Sequence, residues 1–348
     1  MKKLTLCLLT SAVFQFISFM SAYAQEVVTF RQKSGEQKVD VLIGGKFFTS
    51  YTYTSNIEKP VLYPLQTASG VLVTRGFPLN PRPNERTDHP HHIGMWFTYG
   101  DVSGLDFWNN SYAIPDSAKY KYGSIKHQQI VATQDGTKSG RLAVTANWVN
   151  VKGKVLLKEE TTFIFSGDAT HRVIDRMTTL TAQQEKVSLK DNKEGILGIR
   201  VTRELEIPAD KPEIFTDAKG IPTRVAVLNN EGVTGNFLTS EGKKGNDAWG
   251  TRGKWCLMYG KKNNQDVSIA ILDHPENPGY PTYWHARGYG LFAANNLGQE
   301  ALSNGKDKLN YSLEPGKSAT FKYRIVITNG STPSAQQLDK MAAEFSDF

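Results

Sequence analysis

Histidines are the residues of this sequence whose spacing first suggests chemistry. Three of the seven lie within four positions, at His89, His91 and His92, and two more, His274 and His285, come late in the chain. Neutral imidazole binds Zn, Cu, Fe and Ni, and because it titrates near neutral pH it also transfers protons at an anomeric or carbonyl centre. The cluster therefore predicts a metal site or an acid–base site, with hydrogen bonding among structural imidazoles as the alternative.

Two carboxylates are placed to work with these histidines. Asp106 stands between two large apolar residues, so it must pair or protonate, and we expect it to orient an imidazole or a substrate hydroxyl. Glu194 ends a charged loop, from which it would enter a cleft; a solvated loop acid is the alternative. The acid–base hypothesis assigns catalysis to six residues: His89, His91, His92, His285, Glu194 and Asp106.

A metal-dependent enzyme is the second hypothesis. The triplet Asp-His-Pro occurs twice, at 88–90 and 273–275, and proline favours extended or turn backbone at both places. Asp88 or Asp106 would orient the ligands. The acid–base hypothesis needs no cofactor, whereas this one needs a divalent metal held by residues of both triplets and the late motif: His89, His91, His274 and His285.

Aromatic and basic residues complete a candidate carbohydrate site. If residues 91–99 form a strand, His92 and Trp96 share a face and make a floor on which a sugar ring can stack. Core packing is the alternative for each tryptophan. His285 and Arg287 share a face of a later extended segment, and this pairing suits anionic or polyhydroxyl ligands. The predicted substrate-binding residues are Arg75, Trp96, Trp108, Arg200, Arg287 and Asn295. A non-catalytic carbohydrate-binding protein, the third hypothesis, would use the same aromatic and basic residues.

The elements that must position these residues are mostly strands. Segments rich in β-branched and aromatic residues, separated by Gly, Asn and Asp, predict strands at 39–43, 71–74, 142–151, 155–165, 255–259 and 321–327. One C-terminal helix is predicted, because Thr332 can cap it, Pro333 suits its first turn, and apolar residues from Leu338 to Phe345 follow at helical spacing. We expect an all-β fold over residues 25–348, a large antiparallel β-sandwich with a short C-terminal helix.

The first 24 residues are predicted to be a secretory signal. Lysines at positions 2 and 3 precede an apolar stretch, and Ala22 and Ala24 stand at −3 and −1 of a cleavage site before Gln25. An uncleaved membrane anchor is the alternative. No later stretch approaches 18 apolar residues, so we expect a periplasmic or secreted protein that leaves the membrane after cleavage.

Composition bounds the partners of the chain. Its 348 residues contain 41 Lys plus Arg and 34 Asp plus Glu, and the net charge of +7 is dispersed, which gives little reason to expect a nucleic-acid partner. Cys256 is the only cysteine after the predicted signal, so an internal disulfide and a cysteine-rich metal site are both excluded. The sequence leaves the oligomeric state open.

Three motifs resemble a bacterial family catalogued as "methane oxygenase PmoA" and otherwise of unknown function. They are DHPHHIGMWFTYGDVSGLDFW (88–108), KEGILGIRV (193–201) and YWHARGYGLFAANNLG (283–298), with weaker matches at 59–64 and 73–76. The first and third are long and specific, and the matches together span most of the mature chain. Two residues depart from the family pattern: Ile93 stands where a basic residue is usual, and Tyr99 where a histidine is usual.

The resemblance implies a galactose-mutarotase-like β-sandwich. In mutarotases a histidine acid and a carboxylate base work across the ring oxygen and the anomeric hydroxyl of a sugar. A membrane methane oxygenase is not expected, because the sequence has no membrane span after its signal. The resemblance therefore favours an exported carbohydrate-active protein, such as an epimerase, hydrolase or lyase, that binds a small-molecule sugar.

The signal prediction is tested by the mass of the exported protein. Expressed in full in a bacterial host with a periplasm, the chain is expected to lose its first 24 residues and to begin at Gln25, as read by intact mass spectrometry. Ala24→Leu should block cleavage, because the −1 position needs a small side chain. A soluble product that keeps all 348 residues would contradict the prediction.

Overall fold

Two eight-stranded antiparallel sheets form most of the structure, a computed structural model that describes residues 25–209, 213–217, 221–225 and 229–348. The predicted signal lies outside these residues and stays a prediction. The first sheet, in spatial order, consists of β1 (Val28–Arg31), β2 (Lys38–Ile43), β3 (Lys46–Thr52), β4 (Val61–Leu62), β5 (Met95–Tyr99), β11 (Gly195–Arg200), β18 (Leu291–Asn295) and β17 (Tyr283–Arg287).

The second sheet is built from longer strands. In spatial order it consists of β14 (Asn236–Thr239), β15 (Trp255–Lys262), β16 (Gln265–Asp273), β20 (Ser318–Asn329), β9 (His171–Ala182), β8 (Val155–Gly167), β7 (Ser139–Asn150) and β6 (Gly123–Gln134). The remaining strands form two small ribbons: β10 (Val187–Leu189) with β19 (Tyr311–Leu313), and β12 (Glu213–Thr216) with β13 (Pro222–Val225).

Helical structure is short. The α-helices are α1 (Gln299–Leu302) and α2 (Ala335–Ser346), and three 3₁₀ turns cover Asp116–Lys121, Arg203–Leu205 and Gly245–Ala248. None of the helices in the described residues has the length and apolar character needed to cross a bilayer.

The main core lies between the two sheets. Alternating side chains of both sheets point into it, and aromatic rings meet across the layer, as where Phe48 of β3 lies 6.3 Å from Phe165 of β8. Each strand buries one face in this way, so the fold is an antiparallel β-sandwich. The predicted fold class is confirmed.

A charged pair lies inside this core. The Arg176 guanidinium donates a hydrogen bond to the Glu159 carboxylate at 2.9 Å, and its carbon stands 4.6 Å from the Phe97 ring. Trp148 and Thr161 donate to the same carboxylate, so the buried charges are hydrogen-bonded on several sides. Burial lowers the pKa of Arg176 and the Glu159 charge opposes that shift.

Most predicted strands coincide with observed ones, and two predictions are wrong. Residues 71–74 make only isolated bridges, and the strand predicted for 91–99 begins at Met95, because residues 89–92 form a tight turn. The C-terminal helix is confirmed but begins later than predicted. Ser334, rather than Thr332, is its N-cap, since Ser334 and Gln337 exchange hydrogen bonds and satisfy two helix-end N–H groups.

The C-terminal helix is expected to stabilise the second sheet. Phe345 is fully buried and packs against the guanidinium of Arg324 and the ring of His274, so Phe345→Ala should lower the free energy of unfolding by about 3 kcal/mol. The matched control is Gln336→Ala on the exposed face, which should change it by less than about 0.5 kcal/mol. Urea unfolding measures both values, and equal stability of the two variants would contradict the assigned packing.

Candidate active site

Four neighbouring strands bring the early and late motifs together. Strands β5, β11, β18 and β17 lie side by side, and one transverse row of the sheet runs through Trp96, Gly198, Ala293 and His285, each paired with the next. Paired residues share a face of the sheet, so all four side-chain positions lie on the face opposite the main core. The histidine turn before β5 and the late histidine therefore belong to one surface.

Glycine at position 198 allows two indoles to lie directly on the sheet. A Cβ at this position would come within 2.6 Å of Trp96 and 2.9 Å of Trp108. Both tryptophans are fully buried and pack edge to face with ring centroids 5.1 Å apart. The expected sugar-stacking floor is corrected by this burial, because neither indole offers a face to solvent.

A β-turn gathers the three early imidazoles. The His92 N–H donates to the His89 carbonyl at 3.0 Å, and Pro90 occupies the second position of the turn, which its fixed φ favours. The His89 and His92 rings stack in parallel with centroids 4.8 Å apart, and the His91 ring stands edge-on to His92 at 4.3 Å. The turn places the three rings in direct contact.

Two buried arginines hold this turn. Arg75 donates to the backbone carbonyls of Asp88, His89 and His92, and both Arg75 and Arg200 donate to Oδ1 of the Asp88 carboxylate, at 2.9 and 2.7 Å. Their side chains are 1% and 0% exposed. This corrects their expected role as substrate clamps, since both guanidinium groups contact the protein and neither reaches solvent.

Arg200 also sets the protonation of His92. It donates to His92 Nδ1 at 3.1 Å, and because a guanidinium only donates, Nδ1 is unprotonated and Nε2 carries the hydrogen. Burial, with the nearby positive charges, lowers the pKa of His92 well below its usual value. His92 is therefore a neutral, fully enclosed ring that supports the turn, which argues against its predicted catalytic role.

His89 has the opposite arrangement. Its Nδ1 donates to Asp88 Oδ2 at 2.5 Å, its side chain is 41% exposed, and no hydrogen bond to its Nε2 is found among the described residues. Burial alone would raise the pKa of the Asp88 carboxyl, but Arg200, the His89 hydrogen bond and Arg75 outweigh it and hold that pKa well below its usual range. An ionised carboxylate thus fixes the imidazole with a free Nε2 at the surface.

The late motif reaches His89 through a tyrosine. Tyr289, in the turn between β17 and β18, stacks on His89 with a centroid distance of 5.2 Å and an interplanar angle of 6°. The guanidinium carbons of Arg200 and Arg287 lie 4.8 and 5.8 Å from the Tyr289 ring centroid. The predicted meeting of the two motifs is therefore observed as a ring-to-ring contact.

Glu194 and His285 form a second titratable pair on the same surface. His285 Nδ1 donates to the Lys193 carbonyl at 2.8 Å and lies 3.8 Å from Glu194 Oε2. Burial lowers the pKa of His285 to about 3 and raises that of Glu194. The charge state of His89 acts on both groups, so His89, Glu194 and His285 are within electrostatic reach of one another.

Two predicted site residues serve the loops instead. Asn295 is fully buried and donates to the carbonyls of Asn192 and Lys193, which holds the loop that carries Glu194. Asp106 accepts from the backbone and side-chain N–H groups of Asn109 at 2.9 and 2.7 Å, so both carboxylate oxygens are used within its own turn. Their predicted contacts with substrate are corrected to positioning roles.

Arg287 and Trp249 border an open cleft next to Tyr289. The cleft has a volume of about 500 Å³, and the Arg287 guanidinium carbon lies 5.8 Å from the ring centroids of both Trp249 and Tyr289. The Arg287 side chain is exposed and has no ion pair or side-chain hydrogen bond within the described part of the chain. Of the predicted substrate-binding residues, Arg287 is the one that faces a cleft.

The four histidines of the metal hypothesis are not gathered. His274 packs edge-on against Phe345 of α2, and its Nδ1 accepts from the Glu276 N–H at 3.2 Å. Residues 25–209, 213–217, 221–225 and 229–348 contain no group of three or more His, Cys, Asp or Glu side chains that could hold a metal ion.

A family model covers most of the chain. It matches residues 38–343 and is described as a family of unknown function, DUF6807. The chain belongs to this family. No curated protein matches the chain.

Several solved structures are similar to this DUF6807 member at low identity. A galactose mutarotase-like protein from Clostridium acetobutylicum shares 11% identity with a TM-score of 0.34, covering 87% of this chain and 99% of that one. A galactose 1-epimerase from Lactobacillus acidophilus NCFM shares 9% with a TM-score of 0.34, covering 89% and 100%. A GH36 alpha-galactosidase from Geobacillus stearothermophilus shares 10% with a TM-score of 0.39, covering 90% of this chain and 42% of that one.

Sequence reasoning undervalued two residues of this site in the DUF6807 chain. Asp88 entered only as a possible support for metal ligands, and Tyr289 was not among the predicted site residues. The available signals were the position of Asp88 directly before the histidine turn and that of Tyr289 between two glycines in a turn close to His285. Neither signal reveals the ring stacking that makes Tyr289 part of the site.

Replacing Asp88 should destabilise the protein in a pH-dependent way. Asp88→Asn leaves Arg75 and Arg200 without their shared anion, and we expect a loss of about 2 kcal/mol at neutral pH, below the range for fully buried pairs because the Asp88 side chain is 26% exposed. Asp116→Asn, at an exposed carboxylate, is the control and should change little.

The sign of the pH dependence follows from the lowered pKa of Asp88. Its contribution is complete above the unfolded-state pKa of about 4 and is lost as the pH falls through the lower folded-state value. The stability difference between wild type and Asp88→Asn should therefore stay constant from neutral pH down to about 5 and shrink below about 4. Urea unfolding at several pH values measures it, and a difference that grows on acidification would contradict this account.

Proposed function

We propose that this protein is an exported enzyme that performs acid–base chemistry on a sugar or glycoside. The observation that carries the proposal is the Asp88–His89 pair, which leaves a free imidazole nitrogen at the surface beside an aromatic cleft. A carboxylate that fixes one ring nitrogen so that the other can take a proton is a recurring arrangement in general-base catalysis. Glu194 supplies the complementary acid, because its raised pKa favours the protonated form.

The proposed step moves two protons. His89 Nε2 accepts the proton of a substrate hydroxyl, or of a water that attacks the anomeric carbon, and Glu194 gives its proton to the oxygen that leaves that carbon. The C–O bond to the leaving oxygen breaks, and the electron pair stays with that oxygen as it gains the proton. Asp88 stabilises the His89 imidazolium that forms.

His285 and Arg287 serve as the remaining substrate contacts in this proposal. The lowered pKa of His285 keeps its ring neutral, so its Nε2 can accept a hydrogen bond from a sugar hydroxyl. The exposed rings of Tyr289 and Trp249 replace the buried indoles as apolar surface for a sugar ring, and Arg287 binds oxygen atoms of the substrate.

Two features of the sequence extend the proposal. The signal-like first 24 residues favour action in the periplasm or outside the cell, and the three motifs favour a place among galactose-mutarotase-like sandwiches and the PmoA-named family. The proposed chemistry runs on imidazole and carboxylate groups, and a divalent metal is the alternative that the same experiment addresses.

Activity should depend on His89 and not on a second histidine of matched local structure. With a panel of aldoses followed by NMR of anomer exchange, and nitrophenyl glycosides followed by colour release, His89→Gln should lower kcat/KM by about a hundredfold or more. His171→Gln is the control, because His171 also places Nδ1 beside an aspartate, Asp168, but lies on β9 of the other sheet.

The pH profile separates catalysis from simple loss of folding. Activity should decline as the pH rises through the raised pKa of Glu194, and Glu194→Gln should abolish that limb together with most of the turnover. Unchanged turnover in His89→Gln, or no turnover of any panel member by wild type, would overturn the proposal. Loss of activity on dialysis against EDTA, restored by a divalent metal, would favour the metal-dependent alternative.

A further inference from the structure

A second cavity lies beside His91 and is not used by the proposed chemistry. Its volume is about 90 Å³, and its polar lining includes Lys59, His91 and Asn110. Ile57 and Leu79 contribute apolar wall. The space is several times the 10 to 15 Å³ or so that one water needs, so it can take a group of about the size of a sugar ring.

Polar atoms on the wall of this cavity lack partners. Lys59 Nζ makes one hydrogen bond, donating to the Trp108 carbonyl at 2.9 Å, although the side chain is 2% exposed. His91 Nε2 and Asn110 Oδ1 are buried and have no partner in the described residues. Because buried polar groups are almost always hydrogen-bonded, three such groups around one cavity indicate a hydrogen-bonding occupant.

The charges around the cavity select a neutral occupant over an anion. Burial lowers the pKa of Lys59 to about 7, and the carboxylates of Asp106 and Glu58 act on the same amine. Glu58 also lines the cavity, so an incoming anion would meet a carboxylate as well as a weakly charged amine. The cavity therefore lacks the fixed positive charge that anion binding needs.

The mixture of polar groups favours hydroxyls. An amine that can donate, an amide oxygen that accepts and an imidazole nitrogen match groups that both donate and accept. Tyr112, also part of the lining, is 63% exposed and can cover the apolar face of a ring.

We propose that this cavity is a second carbohydrate subsite, which binds a neutral hydroxyl-bearing ring through Lys59, His91 and Asn110. It borders the proposed catalytic centre, because the His91 ring that lines it lies 5.5 Å from the His89 ring. The subsite extends the proposed function and rests on it for its meaning, since a substrate of two sugar units would occupy the cavity and the surface at His89 together. Its occupancy is measured without turnover.

Binding of neutral sugars tests the subsite. With galactose, glucose and lactose as probes in calorimetric titration, Lys59→Met should weaken binding about tenfold, the effect of one lost hydrogen bond to a neutral ligand. The matched control is Lys308→Met, at an exposed lysine paired with Glu300, which should bind as wild type does. Tyr112→Ala, at an exposed side chain that leaves the core intact, should also weaken binding and guards against misfolding of the lysine variant.

Chemical labelling gives a readout that a purely structural lysine would not produce. Reductive methylation at neutral pH, followed by peptide mapping, should slow at Lys59 when lactose is added and stay unchanged at Lys308. Equal labelling of Lys59 with and without sugar, or no binding of any of the three sugars at tens of millimolar, would overturn the inference. If His89→Gln leaves turnover intact while lactose still protects Lys59, the catalytic proposal fails and the subsite stands.

Discussion

The Asp88 carboxylate between two buried guanidinium groups is the interaction on which the rest of the site depends. Arg75 and Arg200 come from segments far apart in the chain, and each donates to the same carboxylate oxygen. Guanidinium groups that are excluded from water need such an anion, because an unpaired buried charge is among the most costly features a fold can contain. The turn that carries the histidines is therefore fixed by charge compensation as well as by packing.

The same network assigns different states to two adjacent imidazoles. Arg200 donates to Nδ1 of His92, whereas Asp88 accepts from Nδ1 of His89, so the two stacked rings carry their hydrogens on opposite nitrogens. One ring is closed into the protein and the other reaches solvent. A single cluster of charges thus separates a structural histidine from a candidate proton-transfer group, although the two are three positions apart in the sequence.

The fold class and the meeting of the two long motifs could be predicted from the sequence, because strand periodicity and clustered histidines are local patterns. The roles of Arg75, Trp96 and Asn295 could not. Each of these side chains is enclosed by segments distant in sequence, and burial of that kind follows from sheet order, which no local pattern encodes. Tyr289 was missed for the same reason, since its partner ring belongs to a turn 200 positions earlier, at His89.

The ion pair inside the sandwich core constrains how this sequence can vary. Glu159 and Arg176 lie on adjacent strands of one sheet, and the arginine faces a phenylalanine of the other. Losing either partner would strand a charge in the interior, whereas exchanging both for apolar residues of similar volume can be neutral or favourable. Related chains are therefore expected to keep both residues or to replace both, so that these two positions co-vary while their individual substitutions are selected against.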